Sequence, residues 1–319
     1  MPLLTLVLGL FLGFIIRDQT FKNEQHCSIE QRESGWEYIN PLLCCEQSRD
    51  TVEGDKIKPI RQHIENFINK DMDKRWADRV AVYFRELNDG PWFAIGELDN
   101  FRPASLLKMP VMIAVLKQAE KNPELLKLPN PVTKALEFGK TYSVEELLQQ
   151  MIVYSDNIAT YLLDNFLDAD DLNKTYAALG LSKPYSRISE PSVVIARPDY
   201  TISAYEYASF FRILYNSSYL SREMSDKALR LLASTESREG LVAGVPPDIK
   251  VAHKWGVHLS GKNREIKQFH DCGIIYYPDH PYILCIMTSG SSLEYLDETV
   301  KEISRAVYER VDAQMKNQK

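Results

Sequence analysis

Strand-forming sequence near both ends of the chain, with a helical middle between, constrains the fold more than any other feature. Residues 79–87 and 92–97 have strand character and are separated by Asn88-Asp89-Gly90-Pro91, a strong turn signal. Strand character returns at 250–255, 269–277 and 282–288, the last two joined by Pro278-Asp279-His280-Pro281 as a hairpin would be. In between, 144–151, 158–166, 205–215 and 225–232 carry apolar residues at helical spacing. A helix precedes the first strand, with Ile57, Ile60, Ile64, Phe67 and Ile68 in period. Another closes the chain, with Leu296, Val300, Ile303, Val307 and Val311 on one stripe. Strands from both ends can pair into one sheet. The order therefore predicts an α+β fold: a five-stranded antiparallel sheet, the terminal helices on one face, and an all-helical subdomain beside it.

Before the first helix the sequence is of another kind. Residues 3–16 carry no charge and are followed by Arg17 and Asp18. A full membrane span needs about 20 apolar residues, so the run is short, but bilayer thinning absorbs such a mismatch. A cleaved leader would have a positive stretch before it and a small-x-small site after it, and neither is present. Residues 1–17 are therefore expected to form a single-pass membrane anchor. Residues 18–55 then read as a polar connector with an apolar island at 39–45, and 56–319 as one domain outside the cytoplasm, periplasmic or extracellular. Net charge is −6 with no long basic run, which argues against a nucleic-acid partner. Of the five cysteines, Cys27, Cys44 and Cys45 lie in the connector. Cys272 and Cys285 lie in apolar strands and are expected to be buried small hydrophobes. An odd count forbids full pairing within the chain, and no spacing suits zinc, so no metal or cofactor is expected. A monomer is expected.

Three short stretches carry chemistry. The first runs from Phe101 to Leu116 and holds Ser105 and Lys108 just ahead of an apolar helical segment. Positions i and i+3 of a helix share a face, so Lys108 can bring its amine to the Ser105 hydroxyl. A serine hydroxyl is a weak nucleophile until a base takes its proton, and a desolvated lysine can be that base. The same spacing also suits an ordinary helix cap followed by a surface lysine. The second stretch is Ser155-Asp156-Asn157, small and polar between two apolar helical segments. It reads as a cap or turn, or as a hydroxyl proton relay beside an amide that holds substrate. The third, Val251 to Val257, sets Lys254 and Gly256 at the end of a strand, where glycine allows close backbone approach and lysine supplies charge.

Together and in this order, the three stretches resemble the penicillin-recognising serine hydrolases, closest to class A β-lactamases, whose set is S-x-x-K, S-D-N and K-T-G. The resemblance runs from about Ile57 to the carboxyl end and includes the approach to the second motif, residues 140–157, and residues 240–246. It implies that Ser105 is the acylated nucleophile and Lys108 its deprotonating partner. Ser155 would pass a proton to the leaving nitrogen, Asn157 would hold a substrate amide, and Lys254 would supply charge beside Ser155. The N–H groups of Ser105 and Val257 would form the oxyanion hole. Glu190, followed by Pro191 on the loop after the second motif, would be the base for the deacylating water. One position departs from the family. Trp255 stands where threonine or serine usually binds the substrate carboxylate, so that pocket should be altered or partly filled. The implied substrate is a β-lactam. Other readings are a DD-peptidase acting on cell-wall peptide and a non-catalytic wall-binding or sensor module.

Overall fold

The computed structural model describes residues 31–44, 57–71, 76–88, 90–130, 140–181 and 200–317. The expected anchor, Cys27, Cys45 and Glu190 lie outside these residues. Among the described residues no helix is long and apolar enough to cross a membrane.

In chain order the main elements are α1 (Lys58–Asn66), β1 (Arg79–Glu86), β2 (Trp92–Ile95) and α2 (Lys108–Lys121). Then follow α3 (Val144–Val153), α4 (Asn157–Phe166), α5 (Ala169–Ala178), α6 (Ala204–Tyr215) and α7 (Arg222–Ala233). Strands β3 (Val251–Ser260), β4 (Ile266–Ile275) and β5 (Tyr282–Gly290) and helix α8 (Leu293–Lys316) complete the chain. The five strands form one antiparallel sheet in the order β2-β1-β5-β4-β3, so that strands from the two ends meet at β1 and β5.

Both faces of this sheet are covered, which explains why all nine residues of β5 are buried. On one face, Val82, Phe84, Leu284 and Ile286 pack with Ile60 and Ile64 of α1 and with Val300, Ile303 and Val307 of α8. On the other, Ala81, Tyr83, Ile283 and Met287 share a core with α2, α6 and α7. Each fully buried Ile or Leu there contributes about 1.5–3 kcal/mol. Helix α2 lies at the centre, with ten of its 14 residues buried, as its unbroken apolar run at 109–116 requires. The helices around it start on their own side chains. Ser143 with Glu146, and Ser203 with Glu206, form reciprocal capping boxes at α3 and α6.

Three findings depart from the sequence reading. Strand β3 does not end at Trp255; it runs through Gly256 to Ser260, so Lys254 and Gly256 lie within it. Part of the polar connector is packed onto the domain: Gln31–Arg32 pairs with Leu42–Cys44, and Tyr38 and Ile39 are buried. The apolar island contributes Ile39 and the Leu42–Cys44 strand to that contact, and Tyr38 lies just before it. Finally, Cys272 and Cys285 are fully buried, as expected, but they also form a disulfide. They face each other across the β4–β5 ladder, so the hairpin itself brings their sulfurs together. Closing so short a loop contributes roughly 3 kcal/mol in the chain-entropy picture.

Candidate active site

Ser105 lies on a 3-10 turn, Ala104–Leu107, that leads directly into α2 at Lys108. The sequence suggested the first turn of an α-helix. The tighter turn serves the pairing better, because residues i and i+3 eclipse in 3-10 geometry. Ala104 enters it at φ 48°, a left-handed conformation that costs a non-glycine residue of order 1–3 kcal/mol. The surroundings hold it there. His270 of β4 bonds the Arg102 carbonyl through Nε2 at 3.0 Å, and Gln268 accepts the Arg102 N–H at 2.9 Å. The Tyr207 hydroxyl of α6 donates to the Leu106 carbonyl at 3.0 Å. Burial drives the His270 pKa down to about 4, outweighing its bonds to backbone, so the ring is neutral. Nε2–H then donates to Arg102, while Nδ1 accepts the Thr288 N–H at 3.3 Å. Sequence reasoning missed Gln268, His270 and Tyr207, whose contacts with the Ser105 turn span more than a hundred residues.

The second motif divides its labour. Asp156 is the N-cap of α4, its carboxylate accepting the Ala159 N–H at 2.7 Å. Ser155 just before it adopts φ 55°, which turns both its carbonyl and its hydroxyl toward Lys108. Asn157 opens the helix and accepts from Lys108 Nζ through Oδ1 at 2.8 Å.

The two lysines meet at Ser155. Lys108 Nζ donates to the Ser155 carbonyl and, at 3.1 Å, to its Oγ; Lys254 Nζ donates to the same Oγ at 3.0 Å. A hydroxyl oxygen has two lone pairs, so both are used, and the Ser155 proton is left to point elsewhere. Both lysines are fully buried. Burial pulls the Lys108 amine down to about 7, with the Asp156 charge opposing. Burial also holds Lys254 well below the usual amine range, helped by the Lys108 charge and opposed by Asp271. A lysine near neutrality can exchange a proton, which an ordinary surface amine does not do readily.

Strand β3 closes the site from the other side. A Cβ on Gly256 would lie 3.1 Å from the Pro103 carbonyl and Ser105 N, and 3.2 Å from Leu106 N. Only glycine lets the strand approach the Ser105 turn this closely. Lys254 Nζ also donates to the Trp255 carbonyl at 3.2 Å, which puts that carbonyl on the open edge of β3. By the alternation of an antiparallel strand, the Val257 N–H faces the same edge, beside Ser105. Trp255 is half-buried, and its ring centroid lies 5.2 Å from Lys254 Nζ, within cation–π range. The ring therefore covers the lysine where a hydroxyl was anticipated. Gly256→Ala should slow acylation about 10²–10³-fold, the cost of one oxyanion donor. Burst kinetics with a chromogenic substrate would measure it. An unchanged burst would show that this approach does not set the oxyanion geometry.

Ser105, Lys108, Ser155, Asn157, Lys254 and Gly256 are thus brought together, with Trp255 and Val257 beside them on the same strand, whereas Glu190 is not among the described residues. The layout sets a buried lysine one 3-10 turn from Ser105, with its amine bonded to Ser155 and Asn157. Residues 59–311 match the family model of the β-lactamase enzyme family. The chain belongs to that family and is a serine hydrolase. Among solved structures it is similar to a β-lactamase from Xanthomonas campestris pv. campestris, 22% identical, TM-score 0.67, covering 80% of this chain and 98% of that one. A class A β-lactamase from Bacteroides cellulosilyticus is 20% identical with a TM-score of 0.66, covering 80% of this chain and 99% of that one. A protein described as PBP-A is 22% identical with a TM-score of 0.63, covering 81% of this chain and 97% of that one. No curated protein sequence matches the chain.

Proposed function

We propose that the domain opens the amide bond of a β-lactam through an acyl-enzyme at Ser105, and that it works outside the cytoplasm on a membrane anchor formed by residues 1–17. The observation that carries the chemistry is the Lys108 amine. It is buried, drawn down to about 7, and set one 3-10 turn from Ser105. Neutral Lys108 takes the Ser105 proton as Oγ attacks the carbonyl carbon. The N–H groups of Ser105 and Val257 receive the oxyanion, and Ser155 hands its proton to the leaving nitrogen while Lys108 passes to Ser155 Oγ the proton it took from Ser105, which leaves Lys108 neutral again. Water then releases the acyl group with Glu190 as base. The Cys272–Cys285 disulfide supports the extracytoplasmic setting, since such bonds persist in oxidising compartments.

Trp255 favours a second reading, a DD-peptidase acting on cell-wall peptide. With its ring against Lys254, the position that would bind a β-lactam carboxylate through a hydroxyl offers only an indole. Intact-mass analysis over time with a labelled penicillin separates the two: rapid turnover supports the β-lactamase and a persistent adduct the peptidase. No adduct and no turnover would overturn acyl-enzyme chemistry. Glu190→Gln should still acylate but accumulate the adduct, because the amide cannot take a proton from water. Equal release of the acyl group in parent and variant would remove Glu190 from the mechanism.

A further inference from the structure

A cavity of about 640 Å³ opens beside the start of β3, and none of the residues around Ser105 lines it. Its size is that of small-molecule sites, roughly 300–1,000 Å³. Val245 and Ile249 provide an apolar wall, while Arg238, Asp248 and His253 bring polar groups.

The imidazole is held from one side. His253 alternates with Lys254 along β3, so it belongs to the other face of the sheet, and it is 1% exposed. Its Nδ1 lies 2.8 and 3.0 Å from the two carboxylate oxygens of Asp271. Asp271 also accepts the Leu241 N–H at 2.9 Å, so it is an acceptor in each contact and Nδ1 must carry the ring proton. In the neutral ring Nε2 is then a lone pair. It is buried and has no hydrogen-bond partner among the described residues. Native proteins seldom leave such an acceptor unmet.

The pair is built around a glycine. Gly240 has φ 58°, and a Cβ there would come within 2.5 Å of Asp271 Oδ2. The Gly240 N–H is tied to Asp297 at 2.7 Å, which fixes the turn above the carboxylate.

Two exposed residues of opposite charge line the cavity and form no ion pair among the described residues, Arg238 and Asp248. Their neighbour Lys250 is already taken by Glu37 at 2.6 Å. A ligand that answers all three groups carries a carboxylate for Arg238 and an amine whose N–H reaches Asp248 and His253 Nε2. We infer that this cavity is a second ligand site, for a small amino-carboxylate with an apolar side chain. The site is independent of Ser105 chemistry, so its failure would leave the proposed reaction untouched.

Phenylalanine serves as the probe, titrated calorimetrically into the full chain. Phenethylamine lacks the carboxylate, and 3-phenylpropionate lacks the amine. Phenylalanine should bind saturably, and Arg238→Ala, or exchange for either control, should weaken binding about tenfold or more. Ser105→Ala should bind as the parent does. Replacing His253 would strand a buried carboxylate, so its ring is read directly by ¹⁵N NMR, where the Nε2 signal should move upfield on binding. Four results would overturn the assignment: no saturable binding, indifference to Arg238→Ala, loss in Ser105→Ala, or an Nε2 signal that does not move.

Discussion

Ser105→Ala should abolish covalent labelling by a penicillin and leave the fold intact. Removing the nucleophile of a serine hydrolase typically costs about 10⁶ in turnover. The size of the loss follows from the architecture. The turn of Ser105 is gripped by His270, Gln268 and Tyr207, and the strand of Gly256 is laid against it. None of those contacts uses the Ser105 hydroxyl, so the alanine variant retains the whole scaffold and loses only the attacking oxygen. Thermal melting of parent and variant provides the control, since a half-buried hydroxyl away from the core contributes little to stability. A variant that labels as well as the parent would reduce Ser105 to a turn residue and send the search to another nucleophile.

What the sequence disclosed and what it hid divide along physical lines. Periodicity disclosed the elements, because a residue's burial on a helix stripe or in a central strand is a local matter. The stripe of Val300, Ile303 and Val307 and the wholly buried run of β5 are examples. The three stretches that meet around Ser155 and the Ser105 turn were legible because S-x-x-K, S-D-N and the lysine strand are contiguous and ordered. Hidden were the features that depend on register. His270 reaches Arg102 only because β4 lies beside the Gly256 strand, with His270 opposite Gly256 itself. The backbone conformations of Ala104 and Ser155 were also hidden, since neither residue is one that ordinarily marks a left-handed turn. The disulfide lay between these cases. Once Ile275 pairs with Tyr282 across the hairpin, counting three residues back and three forward brings Cys272 opposite Cys285. Reading the two cysteines as separate apolar residues overlooked that arithmetic.

Acylation should speed up with rising pH through an inflection near 7, and Lys108→Met should flatten the profile. The Lys108 ammonium has three N–H donors, and three acceptors take them: the Ser155 carbonyl, Ser155 Oγ at 3.1 Å and Asn157 Oδ1 at 2.8 Å. In that state it holds Ser155 and Asn157 in place but cannot accept a proton. Loss of one proton, at about 7 because of burial, frees one acceptor and leaves a lone pair for Ser105. The rate-competent form therefore exists above the inflection and disappears below it. Stability should follow with the same sign. The unfolded amine keeps its proton up to the ordinary lysine value of 10.5, so between about 7 and 10.5 the unfolded chain binds one proton more and stability rises with pH. Below 7 both states are charged and the full burial cost applies, on the order of 5 kcal/mol. Methionine has similar length and no charge, so it removes the Lys108 contribution to both dependences, while the rise of stability that buried Lys254 contributes remains. The acylation rate should then fall about 10²–10⁴-fold, the usual contribution of a positioned base. Stopped-flow acylation and denaturant midpoints, measured over the same pH series, read the two effects on one sample. A variant that keeps the inflection near 7 would assign the base to another group, with Glu190 the first to test.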